Sequence, residues 1–157
     1  MERYCSREDA KARRGLCLMR NVEELSAIVV DLGLRLHKDL GPGLLESVYE
    51  QILAAKLESV GLSIDRQKPI HISYENITIE NAFRADLLVE GSLLIEIKSI
   101  EQLAPVHAKQ VLTYLRLMNL PLGLLMNFGS ATFKEGLRRL VNNHTNFASS
   151  RLRANQL

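Results

Sequence analysis

Residues 84–98 read RADLLVEGSLLIEIK, two apolar runs joined by a short turn. Leu, Ile and Val crowd both runs, which predicts strands over 83–89 and 92–98. Four charged residues interrupt them: Arg84, Asp86, Glu96 and Lys98. A solvated hairpin would carry charges along a regular polar face, and a core hairpin would carry almost none. With the turn centred on Gly91, Asp86 faces Glu96 and Arg84 faces Lys98. Side chains alternate along a strand, so all four are expected on one face. Directly opposed side chains sit roughly 4.5 to 5.5 Å apart at Cβ, so the two carboxylates repel. The cations compensate in part. A divalent metal compensates better, because a hard cation takes several oxygens at close range. The opposite face, with Leu87, Val89, Leu93, Ile95 and Ile97, is expected in the core. A one-residue slip would undo the pairing. A salt-bridged hairpin on a half-exposed sheet is the alternative.

Outward from the hairpin, residues 22–39 carry Leu25, Ile28, Val29, Leu32 and Leu36 at helical spacing. Glu23, Glu24 and Lys38 suit the two ends of that helix dipole. Gly41-Pro42-Gly43 ends it, because proline brings no amide donor. A second helix is expected over about 44–60, stopping at Gly61. Residues 63–79 alternate in short pieces and predict one or two strands, with Pro69 at a strand start or an edge. A third helix is expected from Pro105 to about Met118. LGLLMNF at 122–128 predicts a buried strand, and FKEGLRRLV at 133–141 a short helix. Strand 92–98, helix 105–118 and strand 122–128 form a βαβ crossover, which pairs strands in parallel. The expectation is an α/β protein with a mixed sheet flanked by helices over residues 22–142. A loose basic arm is expected at 1–21 and a polar tail at 143–157.

Two helices bring further candidates to the charged face. Glu46 shares a stripe with Tyr49, Glu50, Leu53 and Leu57, and a second stripe holds Leu45, Val48, Ile52 and Ala55. Two apolar stripes imply a helix covered on more than one side, with Glu46 at the core boundary. A carboxylate there needs a partner. The alternative is an anion that complements the helix dipole, and Glu50 competes for the role on the same stripe. In the third helix His107, Gln110, Tyr114 and Leu117 lie along one face. The first three present donors to phosphate oxygens. Each also has an ordinary explanation, as a surface histidine or a core phenol with its hydroxyl at the rim.

The chain has 157 residues, 46% hydrophobic and 24% charged, which suits one globular domain with a sizeable core. No apolar run is long enough for a membrane span, and the first residues are too polar for a signal peptide. The expected location is the cytoplasm. Cys5 and Cys17, with no CxxC spacing, read as free thiols rather than zinc ligands. The net charge of +2 is mild. Arg3, Arg7, Lys11, Arg13, Arg14 and Arg20 crowd one end, and Arg138, Arg139, Arg151 and Arg153 the other. They read as solvated ends or as phosphate contacts.

The pattern also resembles a known family. Asp86, a nine-residue gap and Glu96-Ile97-Lys98 resemble the signature of the PD-(D/E)XK nuclease superfamily. Gly43-Leu44-Leu45-Glu46-Ser47-Val48-Tyr49 is similar to the GxxExxY pattern that names one family within it. FRADLLVEG, LLIEIKS, Gln110 to Tyr114 and GLLMNFGS at 123–130 extend the resemblance over about 24–142. Ala85 stands where the signature has proline, a residue that shapes the strand. The resemblance implies a restriction-endonuclease-like fold around a mixed four-stranded sheet. It implies hydrolysis of phosphodiester bonds in nucleic acid, DNA before RNA, with Mg2+ or Mn2+. Asp86, Glu96 and the Ile97 carbonyl would hold the metal, Lys98 would complete the site, and Glu46 would be an added acid. Gln110 and Tyr114 would belong to a QxxxY helix beside it. Arg84 and His107 would join them in positioning substrate. The rival expectation is a nuclease-like module that binds nucleic acid or protein with little or no catalysis.

Overall fold

A computed structural model describes residues 20–142. The arm expected at 1–21 lies outside them except for Arg20 and Asn21, as do the tail at 143–157 and both cysteines. In chain order the elements are α1 (Val22–Leu40), α2 (Glu46–Ser59), β1 (Ile64–Tyr74), β2 (Ile77–Val89), β3 (Leu93–Lys98), α3 (Pro105–Leu117), β4 (Leu122–Asn127), α4 (Phe133–Gly136) and β5 (Leu137–Val141). The strands form one sheet in the order β1-β2-β3-β4-β5. β3 and β4 pair in parallel across α3, and the other neighbours are antiparallel. The expected mixed sheet with flanking helices is therefore present, and it has five strands.

α1 begins at a reciprocal cap. The Asn21 side chain accepts from the Glu24 amide, and the Glu24 carboxylate accepts from the Asn21 amide. Leu25, Val29 and Leu36 of α1 and Tyr49, Leu53 and Leu57 of α2 bury against Leu87, Val89, Leu93, Ile95 and Ile97. The other face is buried as well. Leu88, Leu94 and Leu125 pack under Val111, Tyr114 and Leu115 of α3. The sheet thus has two cores, and the charged residues emerge at the end of a buried layer.

Three expectations are corrected. Residues 137–141 are a strand, not the end of a helix. Gly136 lies against the Asn127 carbonyl so closely that an added Cβ would sit 2.2 Å from its oxygen. The chain is held to β4 there and continues along it, with Leu137 opposite Met126. β2 starts at Ile77, earlier than expected, because it pairs with the whole of β1 in one long hairpin. The second apolar stripe of α2 is covered only in part: Val48 and Ile52 are half-buried, Ile52 against the core, while Leu45 is 73% exposed and Ala55 is exposed.

Candidate active site

The hairpin has the expected register over its first pairs: Val89 faces Leu93, Leu88 faces Leu94 and Leu87 faces Ile95. The pairing stops there. Asp86 does not face Glu96 across a ladder. Its Oδ2 accepts from the Ile97 amide at 2.8 Å, so the carboxylate enters the gap where β2 and β3 part. A buried amide that would otherwise lack a partner is satisfied, and the carboxylate is fixed at the mouth of the gap.

On β3, Glu96 is buried and Lys98 half-buried. Lys98 Nζ donates to Glu96 Oε1 at 2.8 Å, and Gln110 Nε2 reaches the same oxygen at 3.3 Å. Gln110 also donates to the Tyr114 hydroxyl at 2.7 Å. α3 thus brings the amide and the phenol to the carboxylates, as the one-face spacing implied. Glu96 Oε2 is buried and has no hydrogen-bond partner among the described residues.

Burial pushes the Glu96 carboxyl up to about 7, helped by the nearby Asp86 charge and opposed by Lys98. Burial also raises Asp86, against the Ile97 amide and Lys98, which lower it. For Lys98, burial works downward. The hydrogen bond to Glu96 and the surrounding carboxylates outweigh it and hold the ammonium above its ordinary range. The Tyr114 phenol is raised by burial.

Glu46, on the exposed start of α2, accepts from the Ser99 amide at 3.1 Å. Ser99 Oγ donates to the Leu44 carbonyl at 2.6 Å. The Tyr49 hydroxyl donates to the Gly41 carbonyl at 2.5 Å, and its ring stacks on Phe128 with centroids 4.5 Å apart. These contacts explain the spacing of Gly43, Glu46 and Tyr49. The tyrosine ties down the glycine loop, and the glutamate ties the helix to the residue after Lys98. A cleft of about 420 Å³ lies here, lined by Leu44, Leu45, Glu46, Ser47 and Ser99.

Arg84 does not share the face of Glu96 and Lys98. Phe83, Ala85 and Leu88 all pack in the core under α3, although strict alternation would separate Ala85 from Leu88. The strand changes facing at Asp86, which leaves Arg84 exposed and turned away from that core. It has no ion-pair partner among the described residues. His107 is engaged locally. Its Nδ1 accepts from the Ala104 amide at 3.0 Å at the start of α3, leaving only Nε2 for another partner.

Sequence reasoning missed three contributors. Glu50, weighed as a competitor of Glu46, is buried and holds Arg66 through Nε at 3.1 Å and Nη2 at 3.0 Å. Gln67 joins Glu50 to Asp86, with Nε2 at 2.6 Å from Glu50 Oε2 and 3.3 Å from Asp86 Oδ1. Asn127 is fully buried and spans the loop after β3. Its Oδ1 accepts from the Ile100 and Gly129 amides, and its Nδ2 donates to the Ile100 carbonyl and Ser130 Oγ. The local signals for Asn127 were a polar residue ending an apolar strand and its place in the GLLMNFGS stretch of the resemblance.

Among the described residues, no three His, Cys, Asp or Glu side chains group tightly enough to hold a metal unaided. Two carboxylates, one of them with a buried oxygen that has no partner among the described residues, still fit Mg2+. That ion commonly takes one or two carboxylates and completes its shell with water and substrate phosphate. The fold and this paired-acid and lysine arrangement define a class. The family model for the PD-(D/E)XK nuclease superfamily matches residues 23–140, and the chain belongs to that superfamily. No curated protein and no solved structure gives a significant match. Among the described residues no helix is long and apolar enough to cross a membrane.

Proposed function

We propose that this chain is a metal-dependent phosphodiesterase of the GxxExxY family, acting on DNA in preference to RNA with little sequence specificity. The observation that carries the reading is Glu96: a buried carboxylate beside Asp86, with Oε2 left without a donor. A buried acid placed so costs stability unless a proton or cation occupies it. Asp86, Glu96 and the Ile97 carbonyl would hold Mg2+ or Mn2+. When bound, the ion supplies Lewis-acid polarisation of the phosphate and a more acidic water.

The chain's own residues do the rest. Lys98, held by Glu96, offers its ammonium to charge gathering on the phosphate or orients the attacking water. Glu46 keeps Ser99, and with it the end of β3, against α2. Gln110 holds Glu96 Oε1 and is itself bonded to the hydroxyl of buried Tyr114, which would keep the amide in place beside the carboxylate. Arg84 and His107 Nε2 are left to contact the backbone of a longer substrate. None of these groups is placed on a recognition helix, so phosphate and sugar contacts dominate over base contacts.

The test is cleavage of plasmid, linear duplex, single-stranded DNA and RNA with Mg2+, Mn2+ or EDTA. Divalent-dependent products are expected, lost in Asp86→Ala and at least a hundredfold slower in Lys98→Ala. No divalent-dependent product from the wild type, or equal cleavage by the variants, would leave a non-catalytic binding module as the better reading.

A further inference from the structure

β1 and β2 are regularly paired on both sides of one position. Arg66 faces Leu87 and Lys68 faces Ala85, at the same offset, yet Gln67 and Asp86 between them are not paired. Gln67 has φ +49°, a left-handed conformation uncommon for a residue with a side chain. The consequence is visible in both strands. Arg66 and Gln67 are adjacent, and alternation should send them to opposite faces, yet both reach Glu50. On β2 the facing changes at Asp86 itself. The backbone is therefore reversed locally at the residue that meets the acid, without any change of register.

We propose that Gln67, anchored by Glu50, is a positioning residue that fixes the Asp86 carboxylate for a divalent cation shared with Glu96. The inference rests on the metal-site reading above. Its chemistry is specific. Both neighbours of the Gln67 amide are carboxylates, which only accept, so Nε2 faces them. One oxygen of Asp86 is held by the Ile97 amide and the other by Gln67, which stops the carboxylate rotating. Each oxygen keeps a second lone-pair direction for a cation. Glu50 is in turn held by Arg66, so the chain from α2 to Asp86 is anchored at its far end. Outer partners of this kind commonly change metal affinity by roughly 10–100-fold.

Glycine at this position separates positioning from folding. Gln67→Gly relieves the left-handed backbone but removes the donor to buried Glu50 Oε2; the two effects oppose each other, and a folded protein with a melting temperature within several degrees of the wild type is expected. Its affinity for Mn2+, by calorimetry on the full chain, is expected to fall about tenfold. Gln67→Asn tolerates the same backbone but has an amide too short to bridge, and the same loss is expected. That variant decides the matter if Gln67→Gly does not fold. Wild-type Mn2+ affinity in both folded variants, with binding abolished in Asp86→Ala, would overturn the role of Gln67 and leave the metal site standing. Absence of Mn2+ binding in the wild type, with and without DNA, would overturn the site reading and this inference together.

Discussion

Glu96 Oε2 lies in the interior with no donor among the described residues, and burial pushes the carboxyl up to about 7 from its ordinary 4.5. Without metal, the folded protein binds a proton between those values that the unfolded chain has released. Stability therefore falls as pH rises through that window. The shift corresponds to about 3 kcal/mol. Asp86, also raised, acts in the same sense. Lys98 does not interfere, because a raised lysine loses its contribution only above its ordinary value of 10.5. Urea denaturation in EDTA at pH 5 and pH 8 is expected to show the lower stability at pH 8. Glu96→Gln is expected to remove most of that slope. A cation must displace the proton, so Mn2+ affinity should strengthen as pH rises through 7, with proton release visible in calorimetry across buffers.

At the scale of elements, the site depends on the loop after β3. Phe128 donates its amide to the Lys98 carbonyl at 2.7 Å, and Asn127 binds both the amide and the carbonyl of Ile100. Ser99, between them, carries the contact to Glu46. Asn127→Ala leaves several of these groups unsatisfied, each worth about 1–3 kcal/mol when buried. A loss of about 3 kcal/mol is expected by urea denaturation, with cleavage falling further because Glu46 loses its docking point. Gly129 is tighter still. A Cβ there would sit 2.4 Å from the Ile100 oxygen, against backbone that cannot move aside. Gly129→Ala is expected to cost more than Asn127→Ala, read from the same curves.

For the whole molecule, the centre of the sheet is buried on both faces, and the site is a gap at one end of it, where β2 and β3 part. Asp86 and Glu96 meet only where β2 and β3 have paired, so on the proposed reading a bound cation acts as a ligand of the native state. At a hundredfold excess over its dissociation constant it is expected to stabilise the fold by about 2.7 kcal/mol. Thermal melts with and without Mn2+ measure this. The double variant Asp86→Ala/Glu96→Ala is expected to show no shift. On the proposed reading, in which the donors would address the backbone, a random-sequence DNA library is expected to be cut without one dominant motif.

The sequence by itself determined the main elements, the hairpin register at its turn, the parallel crossover and the core face of β3. Each arises from local periodicity, turn residues and apolar runs. It also determined which side chains to watch: Asp86, Glu96, Lys98, Glu46, Gln110 and Tyr114 all carry recognisable spacing. Tertiary structure decided the rest. Residues 133–141 have helical spacing, but the close approach of Gly136 to Asn127 and pairing with β4 make a strand of the second half. Arg84 left the charged face because the alternation breaks at Asp86, at the level of the left-handed Gln67 on the neighbouring strand. Glu50, Gln67 and Asn127 became site residues through contacts between segments 17, 19 and 27 positions apart. No local pattern encodes such contacts, because a hydrogen bond between distant segments exists only after the sheet has brought them together.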